Sequence, residues 1–373
     1  MKKLLMLLLV FALSFSMLAG CTPAEEPAEE PAEEPAVEEP AEEPAEEPAE
    51  EPAEAGSIAK LGLGQVISTA KSKAKADDAN AQAQADVTIA AVGFDADGKV
   101  ASVTIDVAQT RVAFDENMAV TSDKDAEVPS KKDLAEDYGM IKASGIGKEW
   151  FEQMEAFEEW MIGKTVDEIK ALPVKVVDDA HQNVPDAPEL TSSVTITVES
   201  YIAAVEEAWN KSVDATGAET VGLGIETHIN KSRDGSAEQG AQAQVDTYMT
   251  ATAFDADGKV VATIIDNAQV RVAYEIDGAL ATDTSVEGKT KHELAEDYGM
   301  IRASGIGKEW YEQMEAFQEW MAGKDIEEIK GLQVKVVDDS HQNVPDVPEL
   351  TSSVTITVEG YIAVVEEAYE MAR

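Results

Sequence analysis

The chain has one cysteine, Cys21, among its 373 residues. No disulfide, paired-cysteine metal site, haem-attachment motif or iron–sulfur cluster can therefore form within one molecule. Basic residues are also scarce, 29 against 74 acidic ones, which leaves a formal net charge of −45. A surface of that sign repels phosphate backbones, so nucleic acid is excluded as a partner. Past the first residues no stretch reaches the ~20 consecutive apolar side chains that a membrane span needs. There is no GxSxG elbow, no HExxH pair and no other constellation of a hydrolase. ASGIGKEW at 143–150 contains Gly-x-Gly-Lys, but Glu149 follows the lysine and the upstream glycine spacing fails, so it is not a P-loop.

What is present begins with two unusual N-terminal segments. Lys2 and Lys3 precede an apolar run from Leu4 to Phe15, and Leu18-Ala19-Gly20 stands directly before Cys21. Residues 1–20 therefore read as a secretory signal peptide. The pattern resembles the bacterial lipoprotein signal, in which Cys21 becomes the lipidated first residue of an extracytoplasmic, membrane-anchored protein. Residues 21–56 repeat PAEE and contain no aromatic side chain. Such a segment cannot bury apolar surface, and its prolines and mutually repelling glutamates favour an extended stalk, on the order of 100 Å at ~3.1 Å per residue. A stalk of that kind suits a Gram-positive envelope.

The remainder is a duplication. ELTSSVTITVE occurs at 189–199 and 349–359, FDADGKV at 94 and 254, LAEDYGMI at 134 and 294, and ASGIGKEW at 143 and 303, all at one spacing without a gap. Over the last half of each copy roughly four-fifths of positions are identical. Repeat one covers 57–212 and repeat two 217–373, joined through VDATGAE at 213–219. Each is long enough to close its own core. ADVTIAAVGF and KVASVTIDVAQTRVAF alternate apolar and polar residues, which predicts strands joined at Asp95-Ala96-Asp97-Gly98 in a β-hairpin. Lys99 occupies a position where an EF-hand needs an oxygen ligand, so this loop reads as a turn. Helical spacing follows over 134–141, 148–161 and 165–172. Strands first and helices after predict an α+β fold, with an antiparallel hairpin or sheet and packed helices in each repeat.

In ELTSSVTITVESYIAAVEEAW the apolar residues Val194, Val198, Tyr201, Ile202 and Val205 step by three and four. With Thr191-Ser192-Ser193 as capping residues, this predicts a helix opening at Val194 with Thr195 in its first turn, where an anion is favoured. The branched residues of VTITV also suit a strand, but 201–208 has no strand character.

This segment resembles the flavinylation motif of the FMN-binding domain family, found in subunits of sodium-pumping and Rnf-type redox complexes. The resemblance implies two covalent FMN groups per chain, joined by a flavin transferase of the ApbE type through phosphate to Thr195 and Thr355. Glu189 and Glu349 take the acidic position, and Ser192 and Ser352 the first hydroxyl. Ser193 and Val194, with Ser353 and Val354, depart from the glycine and alanine of the general pattern. Tandem-repeat surface lipoproteins of Gram-positive bacteria, of the PplA type, are similar over nearly the whole mature chain, with a lipidated cysteine, a polar linker, GKEWxEQ segments and LTSSVT-like sites. That branch implies an electron carrier on the outer face of the cell membrane, fed by a membrane quinol-oxidising donor and serving extracellular acceptors, rather than a substrate-specific enzyme.

A flavin ring needs an apolar or aromatic wall. Tyr138, Met140 and Trp150, with Tyr298, Met300 and Trp310, are the candidate wall residues. His181 and His341, in the duplicated HQNVPD loop, are further candidates for the cofactor. No metal site is expected. The competing reading is a non-redox surface lipoprotein, a binding or wall-spacing module, with a peptide pheromone cut from its signal as an accessory product.

Overall fold

A computed structural model describes residues 57–373 apart from 180 and 340. The signal segment, Cys21 and the acidic stalk lie outside the described residues. Among those described, no helix is long and apolar enough to cross a membrane.

Repeat one opens with three long strands, β1 (Lys60–Ser68), β2 (Gln82–Phe94) and β3 (Val100–Ala113). They pair antiparallel in order, with Leu63 opposite Ala91 and Ile89 opposite Asp106. The β2–β3 turn is the expected one: Asp95 accepts the N–H groups of Asp97 and Lys99 through Oδ1 at 2.9 and 2.8 Å, and Gly98 adopts φ 79°. Short helices α1 (Lys131–Leu134), α2 (Trp150–Met161) and α3 (Val166–Lys170) follow. Next come a small hairpin of β4 (Val174–Lys175) and β5 (Val184–Pro185), and α4 (Glu199–Asn210). The joining segment contributes β6 (Val213–Asp214), which pairs with the free edge of β1.

Repeat two has β7 (Thr220–His228), β8 (Gln242–Phe254), β9 (Val260–Ala273), α5 (Lys291–Leu294), α6 (Trp310–Met321), α7 (Ile326–Lys330), β10 (Val334–Lys335), β11 (Val344–Pro345) and α8 (Glu359–Glu370). The fold is mixed α+β, with antiparallel sheets and helices packed on them.

Two features differ from the sequence expectation. The helix predicted over 134–141 is broken: α1 ends at Ala135, whose φ is 43°, and two 3₁₀ turns, Ala135–Tyr138 and Met140–Lys142, continue around Gly139. More importantly, the repeats do not have wholly separate cores. Leu61, Leu63, Ala83, Ala85, Val87 and Ile89 bury with Leu223, Ala243, Val245, Ala251 and Ala268 in one cluster. The opposite faces of the sheets pack on their own helices: Val92, Ile105, Trp150, Phe157 and Val205 in repeat one, and Phe254, Ile265, Trp310, Phe317 and Val365 in repeat two. Helices, sheet, sheet and helices thus form successive layers.

The contacts between repeats are reciprocal. Lys75 N–H donates to the Gly278 carbonyl at 2.9 Å, and its counterpart Gly235 donates to Met118 at 2.8 Å. That is the self-complementary pairing of a two-fold dimer, here within one chain.

On the outer side, helix backbone lies directly on strand backbone. A Cβ on Gly62 or Gly64 would stand 2.1 Å from the Ala208 carbonyl oxygen or 1.9 Å from that of Ala204. Gly222 and Gly224 meet Ala368 and Val364 in the same way, which explains the duplicated GLG.

Candidate functional site

The duplicated GKEWxEQ segment opens α2 and α6, and its buried glutamate, tryptophan and glutamine each hold another part of the site. Glu149 is buried, and its carboxylate accepts the N–H groups of Met140 and Ile141 at 2.7 and 2.9 Å. Glu152 accepts the Glu149 N–H at 2.8 Å and closes a capping box. Trp150 donates its indole N–H to the Tyr201 hydroxyl at 3.0 Å. Gln153, fully buried, accepts both the Thr195 N–H at 2.8 Å and the Thr195 hydroxyl at 3.2 Å, while its amide nitrogen donates to Ser144 Oγ and the Lys148 carbonyl. Glu309, Trp310 and Gln313 repeat these contacts on Met300, Ile301, Tyr361 and Thr355.

Thr195 therefore sits beside a helix start, but not the expected one. Helix α4 opens at Glu199 rather than Val194, with Val198 at its cap and no side-chain cap bond. Val194 and Val198 are both buried one helical interval apart, which imitates a helical stripe, yet residues 187–194 form a turn and 195–198 an irregular link. The Thr195 N–H is bonded to Gln153 across 42 residues instead of sitting in the first turn of α4. The start of α2 is already capped by its own carboxylates, so the helix-dipole argument made for Thr195 does not hold there.

Beside this turn lies a cavity of about 400 Å³ lined by Gln109, Arg111, Lys131, Asp137, Tyr138 and Met140. Its twin in repeat two, about 370 Å³, is lined by Gln269, Arg271, Leu294, Asp297, Tyr298 and Met300. Tyr138 and Met140, chosen as wall residues, are thus brought together in one cavity, as are Tyr298 and Met300. Trp150 and Trp310 lie beneath: the Lys131 ammonium stands 5.0 Å from both the Tyr138 and Trp150 ring centroids, and Lys291 5.2 and 5.5 Å from those of Tyr298 and Trp310. Burial pushes the amines of Lys131 and Lys291 down to about 8, opposed by the charges of Asp86 and Asp106 on the first and of Asp246 and Asp266 on the second. Burial also raises the Tyr138 and Tyr298 phenols. Below the cavity, Arg111 Nε donates to Gln84 at 2.9 Å, and Gln84 in turn to Asp86, which pairs with Lys71 at 3.0 Å.

Other candidates stand apart. Glu189 is exposed and accepts the Trp160 indole N–H at 3.2 Å; its own backbone N–H and that indole hold its carboxyl below the ordinary range. Ser192 and Ser352 are exposed in their turns, and Glu349 is likewise exposed. His181 and His341 are exposed and held by Asp178 and Asp338, each with Nδ1 at 2.8 Å from a carboxylate oxygen, and neither lines the cavities. Among the described residues no group of three metal-ligating side chains converges.

Sequence reasoning missed Gln153, Glu149, Lys131 and Arg111. The first two lie in the duplicated GKEWxEQ and were open to discovery there; Lys131 carried no signal, because lysine is ordinarily a surface residue.

No family model matches the chain, and no solved structure matches it. A protein of Desulfitobacterium hafniense named chlorophenol reductase is similar: 28% identical over 117 residues, covering 28% of this chain and 36% of that protein. The chain thus spans about a third of that relative's length.

Proposed function

We propose that this protein is an electron carrier bearing two covalent FMN groups, one esterified through phosphate to Thr195 and one to Thr355, each repeat being an FMN-binding-type domain. The observation that carries the reading is the twin arrangement at the first turns of α2 and α6. In each, one helix turn positions a half-buried threonine hydroxyl through Gln153 or Gln313, and an aromatic-walled cavity through Glu149 or Glu309. The residues fit the group. Cavities of about 400 and 370 Å³ fall within the roughly 300–1,000 Å³ of small-molecule sites. Tyr138 and Met140 offer the apolar wall, and Gln109 and Arg111 offer hydrogen-bond donors.

FMN supplies the electron-accepting chemistry when bound. The chain's part is to fix the attachment oxygen, to wall the ring and to set the charge around it. The relative named a reductase agrees with a redox role in kind. Cys21 would anchor the carrier through lipid to the outer face of the cell membrane, with the acidic stalk as spacer. A membrane quinol-oxidising system would be the donor, extracellular compounds the acceptors, and an ApbE-type flavin transferase the enzyme that loads it.

The test is fluorescence under ultraviolet light after a denaturing gel, on protein made together with a working flavin transferase. The parent band fluoresces, Thr195→Val and Thr355→Val each lose about half the signal, and the double variant loses all of it. A dark parent band overturns the reading.

A further inference from the structure

Lys131 and Lys291 are the least expected side chains in the fold. In a chain of net charge −45, each is 8% exposed, and among the described residues no carboxylate lies within ion-pair distance of either. Asp86, the charge with the largest favourable influence on Lys131, is paired with Lys71 at 3.0 Å, and Asp246 with Lys231 at 3.0 Å. What does contact each ammonium is aromatic: the faces of Tyr138 and Trp150, or of Tyr298 and Trp310. Cation–π contact offsets only part of the cost of desolvating an ammonium. Each repeat therefore keeps a buried ammonium with no carboxylate in ion-pair contact, the charges of Asp86 and Asp106, or of Asp246 and Asp266, acting only from farther off, beside a cavity whose wall includes the tyrosine on which the ammonium rests.

From this geometry we infer that Lys131 and Lys291 hold the electron-rich pyrimidine edge of a reduced flavin ring, as the counter-charge to the anion formed there. The inference rests on the flavin reading above and adds residues that the resemblance does not assign. Reduction at this site adds two electrons, from a quinol in the cell or dithionite in a titration, and one proton at N5. One negative charge remains spread over N1 and the adjacent carbonyl. The lysine transfers no proton; it offsets that charge. The need is sharper here than in most proteins, since a chain of net charge −45 opposes any further negative charge. Arg111 and Arg271, on β3 and β9 and tied to Gln84 and Gln244, add a second positive charge in the lining of each cavity.

The test uses the full flavin-loaded chain with one site blocked, so that the remaining flavin belongs to a known repeat. In Thr355→Val protein, Lys131→Met should leave the mass increment of the flavin in place. It should favour the oxidised form about tenfold, a fall of about 30 mV in the two-electron midpoint potential. The pH at which the potential changes slope, where the reduced ring gains its second proton, should rise by about one unit. Lys131→Arg should restore both values. Lys291→Met in Thr195→Val protein repeats the comparison in the other cavity and guards against a variant that fails to fold. A loaded Lys→Met variant with unmoved potential and slope break overturns the inference and leaves the flavin reading intact. A parent without flavin overturns both.

Discussion

The two repeats make the most instructive comparison, because they are alike where the site is built and unlike where the repeats are supported. At the site the principal partners recur: Glu149 and Glu309, Gln153 and Gln313, Arg111 and Arg271, Lys131 and Lys291. Behind it, four positions diverge. Glu158 is buried in repeat one, where it accepts the Ile105 N–H and pairs with Lys132 and with Arg373 at the end of repeat two, at 2.6 and 2.5 Å; Gln318 keeps only the backbone contact, to Ile265. Lys211 bridges Glu207 and Glu293 across the repeats, whereas its counterpart Met371 leaves Glu367 facing Asp133, Asp106 and Glu226. Val107 becomes Asn267, fully buried with neither amide atom bonded to protein, and Thr88 becomes Tyr248, which packs at 5.0 Å on Tyr361. Ion pairs have drifted, while the helix turn that holds the threonine has not.

The largest effects should come from the shared framework and strike both repeats alike. Gly64→Val and Gly224→Val each force a side chain into a helix carbonyl that would lie 1.9 Å from its Cβ. Each should lose about 3 kcal/mol or more in denaturant unfolding, because backbone cannot yield as a side chain does. A large loss in one and none in the other would break the equivalence.

Next is the buried charge found in one copy. Glu158→Gln leaves Lys132 and Arg373 without their carboxylate and should lose about 2 kcal/mol, whereas Gln318→Glu, with no arginine opposite, gains nothing and loses about 1 kcal/mol. Equal losses in chemical unfolding would contradict this account of the asymmetry.

A smaller effect depends on pH. Burial, with the charges of Asp133, Asp106 and Glu226, pushes the Glu367 carboxyl up to about 7, against the N–H of Ile225. Its folded value exceeds the unfolded one, so the folded state binds the proton more tightly. That stabilisation is full below about pH 4.5 and is lost as pH rises through 7. Screening by solvent leaves on the order of 1–2 kcal/mol. Met371→Lys, which supplies the cation found at Lys211, should flatten the decline in thermal midpoint between pH 5 and 8. A slope that persists in Glu367→Gln protein would assign it elsewhere.

Much of this was legible beforehand for identifiable reasons. The hairpins announce themselves through alternation and the Asp-Gly turns, and the helix α2 through Trp150, Met154, Phe157 and Met161 on one face. The shared core was not legible: its contacts are small, Ala83, Ala85, Ala243 and Ala251, and a row of alanines between polar residues carries little hydrophobic signal. The start of α4 lies at Glu199 rather than at the Val194 that the spacing predicts, because Val194 buries one helical interval before Val198 from a chain that is not helical. Lys131 stayed hidden because burial of a lysine is decided by the fold around it.

Intact mass tests the central claim most directly. Mature protein made with a working flavin transferase should carry two increments, each of FMN less one water. Thr195→Val should remove one, Thr355→Val the other, and peptide mapping should assign them to the two LTSSVT segments. An unmodified mass, or increments that persist in the double variant, would contradict the assignment of both threonines.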